Sequence, residues 1–207
     1  MTATSLAHVV KAYDVRGTVP DQRDTRVTRA LGAAFADVVV IPEGAGACVV
    51  GHDMRDTSPE LSSAFADGAR SRGVDVTLIG LASTDGLYYA SGALDLPGAM
   101  FTASHNPAAY NGIKLCRAGA RPVGQDSGLS EIRVLAERIL DGEVPDPDVT
   151  PGELDERDVL ADYASFLRGL VDLSGIRPLR VVVDAGNGMG GFTVPAVLEA
   201  GAGLPAL

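Results

Sequence analysis

The sequence lacks tryptophan, has only two cysteines among 207 residues, and carries 17 basic residues against 27 acidic ones. The formal net charge of -10, without a cluster of Lys and Arg, disfavours nucleic acid as a partner, because binding to a phosphodiester backbone needs concentrated positive charge. No apolar run is long enough to cross a bilayer, and the N-terminal segment has no basic stretch followed by an apolar one. We therefore expect no membrane partner and a cytoplasmic location.

The two cysteines, Cys48 and Cys116, each lie within an apolar run. This setting favours buried structural thiols over a disulfide framework and is consistent with a reducing compartment. Hydrophobic residues make up 46% of the chain, so it can bury a complete core and more. We expect one complete domain with additional structure beyond it.

Apolar residues alternate between helical spacing and short continuous runs, which predicts a layered α/β domain with helices on both faces of a sheet. The predicted helices cover residues 27–38, 58–73, 84–93 and 126–141. The predicted strands cover residues 47–50, 74–79, 98–102 and 113–117. Gly44 to Gly46 and Gly73 separate helices from the strands that follow them.

Residues 141–153 are acidic and contain three prolines, which is typical of a solvated connector. We therefore predict a first domain over residues 1–150 and the start of a second over residues 151–207. The second region is predicted to contain a helix at 158–171, a buried strand at 179–184 and a helix from 191 to 200. One strand and two helices do not close a domain, so we expect this unit to be incomplete.

The densest polar cluster runs from Thr102 to Lys114 and joins two predicted strands. A serine in a tight loop after a strand, Ser104, is exposed and held in place, while His105, Asn106, Asn111 and Lys114 provide donors around it. Such a loop can stabilise the charge of a serine-linked phosphate. The alternative interpretation is a polar turn, since Asn-Pro and Asn-Gly are common turn dipeptides.

Two other chemistries are disfavoured by the residues present. Hydrolysis by a Ser-His-Asp arrangement is disfavoured, because adjacent side chains such as those of Ser104 and His105 usually diverge and the G-x-S-x-G pattern is absent. Residues 186–191 satisfy G-x-G-x-x-G, but the acidic residue that confirms a dinucleotide site would lie beyond position 207. We interpret this segment as a strand-to-helix turn.

The segment TASHNPAAYNGIK, residues 102–114, resembles the phosphoserine loop of the α-D-phosphohexomutases. Three further segments resemble that family in order and spacing: AYDVRG at 12–17, GHDMR at 51–55 and VDAGNG at 183–188. The resemblance implies a three-layer α/β/α first domain with a mixed sheet, followed by the truncated start of a similar second domain. Tyr110 and Thr102 favour the phosphomannomutase/phosphoglucomutase branch, while His52 departs from the family's usual Arg.

The resemblance also implies roles for individual residues. Ser104 would carry the phosphoryl group, with His105 and Lys114 assisting proton transfer and charge balance. Tyr13 and Arg16 would lie at the same cleft and bind substrate together with Asn106 and Asn111. Asp53 and Arg55 are interpreted as a structural pair that braces the loops.

The implied reaction interconverts hexose 6-phosphate and hexose 1-phosphate, of mannose or glucose, through a hexose 1,6-bisphosphate. Small phosphosugars are thus the expected ligands, and Mg²⁺ the expected cofactor, bound partly through the phosphate on Ser104. The D-G-D-G-D segment that supplies the other metal ligands in the family does not occur here. We therefore expect these 207 residues to be inactive alone, with C-terminal domains in cis or as a separate chain. The alternative is a noncatalytic phosphosugar-binding or interaction module.

Overall fold

The computed structural model describes residues 3–172, 175–177 and 179–198, and the chain divides into two compact units, Met1–Arg157 and Asp158–Leu207. The first unit contains the strands β1 (Val15–Thr18), β2 (Ala47–His52), β3 (Asp75–Leu81), β4 (Gly98–Phe101), β5 (Tyr110–Arg117), β6 (Arg121–Pro122) and β7 (Leu154–Glu156). Its α-helices are α1 (Thr25–Phe35), α2 (Ser58–Arg70), α3 (Thr84–Leu94) and α4 (Leu129–Leu140). The predicted helices and strands of this region are confirmed to within a few residues at their ends.

Within the described residues, the strands form one mixed sheet in the order β1-β5-β4-β2-β3-β7, with β6 paired to β5. β2 runs parallel to β3 and β4, and β3 runs parallel to β7, whereas β5 runs antiparallel to β1 and β4. The carboxyl ends of β2 and β4 therefore meet at one edge of the sheet. Functional loops of α/β proteins commonly lie at such an edge.

Helices cover both faces of the sheet, so the α/β/α architecture is confirmed. On one face α1, α2 and α4 pack over a core that includes Val50, Phe65, Phe101 and Ile113. On the other face α3 packs against β2 and β4, and a Cβ placed on Gly51 would meet Ile79 and Leu87 there. Alternate residues of each strand therefore face opposite helix layers.

Three aromatic rings form the centre of the first core. Phe65 lies 5.6 Å, between ring centroids, from Phe35 and 5.6 Å from Phe101, which it meets edge-on. Tilted and edge-on pairs each contribute about 1 kcal/mol beyond the area that they bury. Phe101 is the last residue of β4, so this packing fixes the point at which the chain leaves the sheet.

The contact between α1 and α2 depends on two glycines. A Cβ on Gly32 would stand 2.1 Å from the carbonyl oxygen of Phe65, and a Cβ on Gly68 would stand 2.0 Å from that of Arg29. Either position excludes any side chain unless the helices separate. α1 itself begins at an N-cap, Asp24, whose carboxylate accepts a hydrogen bond from the Val27 amide at 2.8 Å.

Both cysteines are buried and free, as predicted. Burial raises the pKa of the Cys48 thiol to about 12. It also raises the pKa of Cys116. Neither thiol is activated as a nucleophile.

The segment predicted as a solvated connector is mostly exposed, but it is fastened to the first unit at several points. Asp146 accepts a hydrogen bond from Arg29 at 2.6 Å, and the Pro145 carbonyl accepts one from Arg72 at 3.0 Å. Leu154–Glu156 then adds β7 to the sheet beside β3. The first unit therefore continues to Arg157, past the boundary predicted after residue 150, because backbone pairing holds this segment to the sheet.

The second unit contains α5 (Leu160–Leu170) and α6 (Gly190–Leu198), and Arg168 donates a hydrogen bond to the Ala196 carbonyl at 2.8 Å. The predicted helices are confirmed over their described residues; positions 199 and 200 lie outside these. The predicted buried strand at 179–184 is wrong. These residues form no strand, and Val182 is 95% exposed, because an apolar run becomes a buried strand only where a sheet accepts its backbone. Without that strand, residues 186–189 form a turn that leads into α6.

No helix in the described part of the chain has the length and apolarity needed to span a membrane.

Candidate functional site

The serine loop, residues 102–109, leaves the sheet at the end of β4 and returns at the start of β5. Beside it, the segment 53–57 leaves the end of β2. The two are joined at their base, since the Asp53 amide donates to the Phe101 carbonyl at 2.9 Å. The sheet thus presents both segments at the same edge.

Ser104 is exposed and adopts a left-handed backbone conformation, with φ of 52°. A serine pays a steric penalty in this region, so surrounding contacts must hold it there. One of them is the hydrogen bond from the Ser104 amide to Oγ1 of Thr102, at 3.1 Å. The hydroxyl of Ser104 faces solvent, and Nδ1 of His105 lies 3.4 Å from its Oγ.

Arg55 braces the serine loop from the neighbouring segment. Its guanidinium donates hydrogen bonds to the carbonyls of Ser104 (2.9 Å), Asn106 (2.8 Å), Pro107 (2.9 Å) and Tyr110 (2.8 Å). The Asp53 carboxylate lies 3.4 Å from Nε of Arg55 and accepts a hydrogen bond from its amide at 3.0 Å. The predicted structural role of Asp53 and Arg55 is confirmed.

Asn111 joins the start of β5 to the start of α2. Its side-chain NH₂ group donates to the hydroxyls of Thr57 and Ser58, each at 2.9 Å. Its side-chain oxygen, Oδ1, accepts from the Gly112 backbone amide at 2.7 Å. Asn111 is fully buried, so this geometry gives no support to its predicted contact with substrate. Asn111 and Gly112 lie inside β5, so this Asn-Gly pair is not the turn that its dipeptide suggests.

Gly112 is needed for close packing of β5 rather than for a turn. A Cβ at this position would stand 2.5 Å from the carbonyl oxygen of Thr102 and 2.7 Å from that of Val15. β1 pairs with β5 here, with Val15 opposite Ile113 and Arg16 opposite Gly112. The segment 12–17 is thereby brought beside the strand that carries Lys114.

Asp14 links these two segments electrostatically. Its carboxylate, which is largely buried, pairs with Arg16 and lies 3.7 Å from Nζ of Lys114. Asp14 stands between Tyr13 and Arg16, which the sequence predicts at the cleft, but it is not itself among the predicted residues. Its position between those two residues could have indicated a role for Asp14. Its partner Lys114, however, is distant in sequence and becomes a neighbour only through the β1–β5 pairing.

Asn106 lies in the serine loop and His52 ends β2 beside it, whereas the Tyr13 ring lies beside Gly124, after β6. Tyr13 is 81% exposed beside Asp14. Asn106 closes the serine loop by donating from its side chain to the Ala103 carbonyl at 2.9 Å. Nδ1 of His52 lies 2.9 Å from the backbone carbonyl oxygen of the next residue, Asp53.

The arrangement provides an exposed hydroxyl on a braced loop, with a histidine beside it and two cations, Arg16 and Lys114, that share one carboxylate. Of these groups, the His105 imidazole is the one within reach of Oγ of Ser104, where it is suited to moving a proton. Within residues 3–172, 175–177 and 179–198, no three His, Cys, Asp or Glu side chains gather as a metal-binding group.

Comparisons with known proteins identify the family to which this chain is similar. Residues 7–141 match the model of the phosphoglucomutase/phosphomannomutase family, alpha/beta/alpha domain I. An Escherichia coli phosphomannomutase is 40% identical over 202 residues, covering 94% of this chain and 42% of that protein. Phosphohexose mutases of Xanthomonas campestris pv. campestris (strain B100) are 42% identical over 187 residues, covering 89% of this chain and 40% of the relative.

A crystal structure of a phosphoglucomutase/phosphomannomutase family protein from Burkholderia thailandensis superposes with a TM-score of 0.81 at 33% identity. It covers 99% of this chain and 44% of that one. The fold and site define an α/β/α domain that presents a serine loop at one edge of its sheet. The chain belongs to the phosphoglucomutase/phosphomannomutase family, and it spans about two fifths of the length of the relatives that it matches.

Proposed function

We propose that this chain is the serine-bearing part of a phosphohexomutase that interconverts hexose 6-phosphate and hexose 1-phosphate. The observation that carries the proposal is the exposure and the fixed backbone conformation of Ser104. Its hydroxyl is exposed, its backbone is held in a left-handed conformation, and its carbonyl is fixed by Arg55. Pre-organisation of this kind is the main contribution that a protein makes to phosphoryl transfer.

In the proposed reaction, Ser104 carries a phosphoryl group. A free hydroxyl of the bound hexose monophosphate attacks phosphorus, so a new P–O bond to the sugar forms while the bond to Oγ of Ser104 breaks. The sugar hydroxyl loses its proton and Oγ gains one. The resulting bisphosphate then returns its other phosphoryl group to Ser104 by the reverse steps.

His105 and Lys114 assist these steps in the proposal. His105 would exchange a proton with the departing oxygen of Ser104, and the separation of 3.4 Å between its Nδ1 and Oγ of Ser104 supports this role. Lys114 and Arg16 supply positive charge, and Asp14 holds both side chains in position. Tyr13, which is exposed, and Asn106 are proposed to line the sugar side of the site.

Mg²⁺ remains a predicted cofactor that would offset the charge of the phosphate on Ser104. Its other ligands, and the groups that recognise the sugar, are expected in the part of the relatives that this chain does not span. We therefore propose that residues 1–207 alone do not complete a turnover.

A coupled assay tests this function. The protein that carries this chain with the remaining domains is supplied with glucose 1-phosphate or mannose 1-phosphate, a bisphosphate primer and Mg²⁺, and formation of the hexose 6-phosphate is followed. Ser104→Ala is expected to abolish turnover, whereas Ser130→Ala, on α4, retains it. Equal activity of the Ser104→Ala variant would overturn the proposal and favour a noncatalytic binding module.

A further inference from the structure

Arg23 is a fully buried cation that forms no ion pair with any of the residues that the structure describes. It lies just before the N-cap of α1 with a relative exposure of 0%, and its three guanidinium nitrogens have no hydrogen-bond partner among the described residues. Burial lowers its pKa to about 10, so the side chain stays protonated near neutral pH. An uncompensated buried charge is costly and rare, and it calls for a reason.

The guanidinium lies over an aromatic ring, 5.9 Å from the centroid of Phe101. A cation–π contact offsets part of the desolvation cost but does not neutralise the charge. Phe101 is the last residue of β4, three positions before Ser104. The positive charge therefore lies in the core where the chain leaves the sheet to form the serine loop.

The backbone around Arg23 is attached to the other end of the same loop. The Arg23 amide donates to the Thr18 carbonyl at 3.1 Å, and Thr18 pairs with Tyr110 of β5. The Val19 amide donates to the Ala109 carbonyl at 2.9 Å. The segment 18–23 thus contacts both stems of the serine loop, through Phe101 on one side and through Ala109 and Tyr110 on the other.

Arg23 differs from the other cations around the loop in having no paired carboxylate among the described residues. Arg55 is matched by Asp53, whereas Arg16 and Lys114 share the single carboxylate of Asp14. A serine-linked phosphate carries nearly two negative charges at neutral pH, so its arrival at Ser104 would bring an anion to the loop above Arg23.

We propose that Arg23 is a positioning residue whose buried charge stabilises the phosphorylated form of Ser104 from beneath the loop. This rests on the proposed function, in which Ser104 carries a phosphoryl group. Arg23 contacts neither the sugar nor the reacting atoms. Its positive charge acts electrostatically on the phosphate from below the loop. A merely structural Arg23, valued for its aliphatic stem, would stabilise the phosphorylated and unphosphorylated forms equally.

The test is a thermodynamic cycle on the 207-residue chain. Phosphoserine is inserted at position 104 during synthesis, so the measurement does not depend on any mutase activity. Unfolding temperatures are recorded in EDTA for the phosphorylated and unphosphorylated chains, each as wild type, Arg23→Met and Arg23→Lys. Circular dichroism confirms that each variant folds, and Arg23→Gln replaces the Met variant if that one does not.

Phosphorylation is expected to raise the unfolding temperature of the wild type more than that of Arg23→Met, by about 3 °C or more, because only the wild type gains a compensated charge. Arg23→Lys should recover most of the difference. The matched control is Arg72→Met, which removes a buried arginine near the opposite ends of the strands, where Asp37 and Asp146 already compensate it. Its response to phosphorylation should equal that of the wild type.

An equal gain on phosphorylation in wild type and Arg23→Met would overturn the proposal. Failure of the proposed function would look different. In that case incubation with a hexose bisphosphate would leave no phosphate on Ser104. The cycle with inserted phosphoserine would still measure how Arg23 affects the stability gained on phosphorylation.

Discussion

The guanidinium of Arg55 donates a hydrogen bond to the carbonyl oxygen of Ser104, at 2.9 Å, from a segment 49 residues away in sequence. The same side chain bonds three further carbonyls of the loop stem and the loop itself. One side chain therefore satisfies four backbone acceptors in and beside the segment that carries the serine. The shape of the serine loop depends on a group outside it.

Arg55→Lys should loosen the serine loop. A lysine ammonium cannot reach the four carbonyls together, because it lacks the planar fork of a guanidinium. We expect a loss of about 2–3 kcal/mol in the free energy of unfolding by urea, together with faster amide hydrogen exchange in residues 102–110. Arg138→Lys is the control, since Arg138 is an exposed residue paired with Glu143, and it should change neither quantity. A loop that exchanges no faster in Arg55→Lys would contradict the bracing role.

Asp14→Asn should uncouple the segment 12–17 from β5. The substitution leaves Arg16 and Lys114 without their shared carboxylate, and a loss of about 1–2 kcal/mol in unfolding free energy is expected for this partly buried group. A double-mutant cycle with Lys114→Met should give a coupling of about 1 kcal/mol. Asp21→Asn, at an exposed position, is the matched control. Strictly additive effects of the two substitutions would show that the ion pair does not contribute.

Gly32→Ala should separate α1 from α2. The added methyl would stand 2.1 Å from the carbonyl oxygen of Phe65, a backbone atom that cannot rotate away. We expect a loss of about 3 kcal/mol or more in unfolding free energy. The control is Gly92→Ala, since Gly92 lies in α3 with open space around it; that variant should be neutral or more stable by up to about 1 kcal/mol. Equal stability of the two variants would rule out the close helix contact.

The pairing of Asp146 predicts a pH dependence of stability. The hydrogen bond from Arg29 holds the pKa of Asp146 below its usual value, helped by the charges of Arg29 and Arg72. A carboxyl with a lowered folded pKa contributes stability that is complete above its unfolded pKa, about 3.9, and is lost as the pH falls through the folded value. Asp37 acts in the opposite direction, because burial raises its pKa and protonation relieves that cost.

Urea unfolding below about pH 4 checks this linkage. Asp146→Asn and Arg29→Gln should each flatten the fall in unfolding free energy with decreasing pH, whereas Arg138→Gln should leave its slope unchanged. If the Asp146→Asn protein lost stability as steeply as the wild type, the segment 141–153 would not be fastened by this carboxylate.

Much of the fold could be predicted from the sequence, because each of its longer helices and strands has a recognisable apolar pattern within its own residues. The helix that became α1 and the strand that became β2 show the periodicity that burial requires, so their faces and order follow. β1 and β7 were missed, since VRGT and LDE are short and have no apolar pattern. They become strands only because β5 and β3 offer them partners.

The site divides in the same way. Ser104 and its polar neighbours stand together in sequence, and the resemblance to a family picks them out. Asp14 and Arg23 could not be assigned from the chain alone, because the partner of one and the setting of the other arise from the β1–β5 pairing and from the core beneath the loop. The exposed run at 179–184 shows the converse, that apolar composition without a sheet to join does not make a strand.

The most direct test of the central claim is to ask whether Ser104 accepts phosphate. The chain is incubated with glucose 1,6-bisphosphate and Mg²⁺, alone and with the C-terminal domains supplied, and is analysed by intact mass and peptide mapping. We predict the mass of one added phosphoryl group on the peptide that contains Ser104, and none in Ser104→Ala. A chain that gains no phosphate under either condition, or gains it on another residue, would contradict the account.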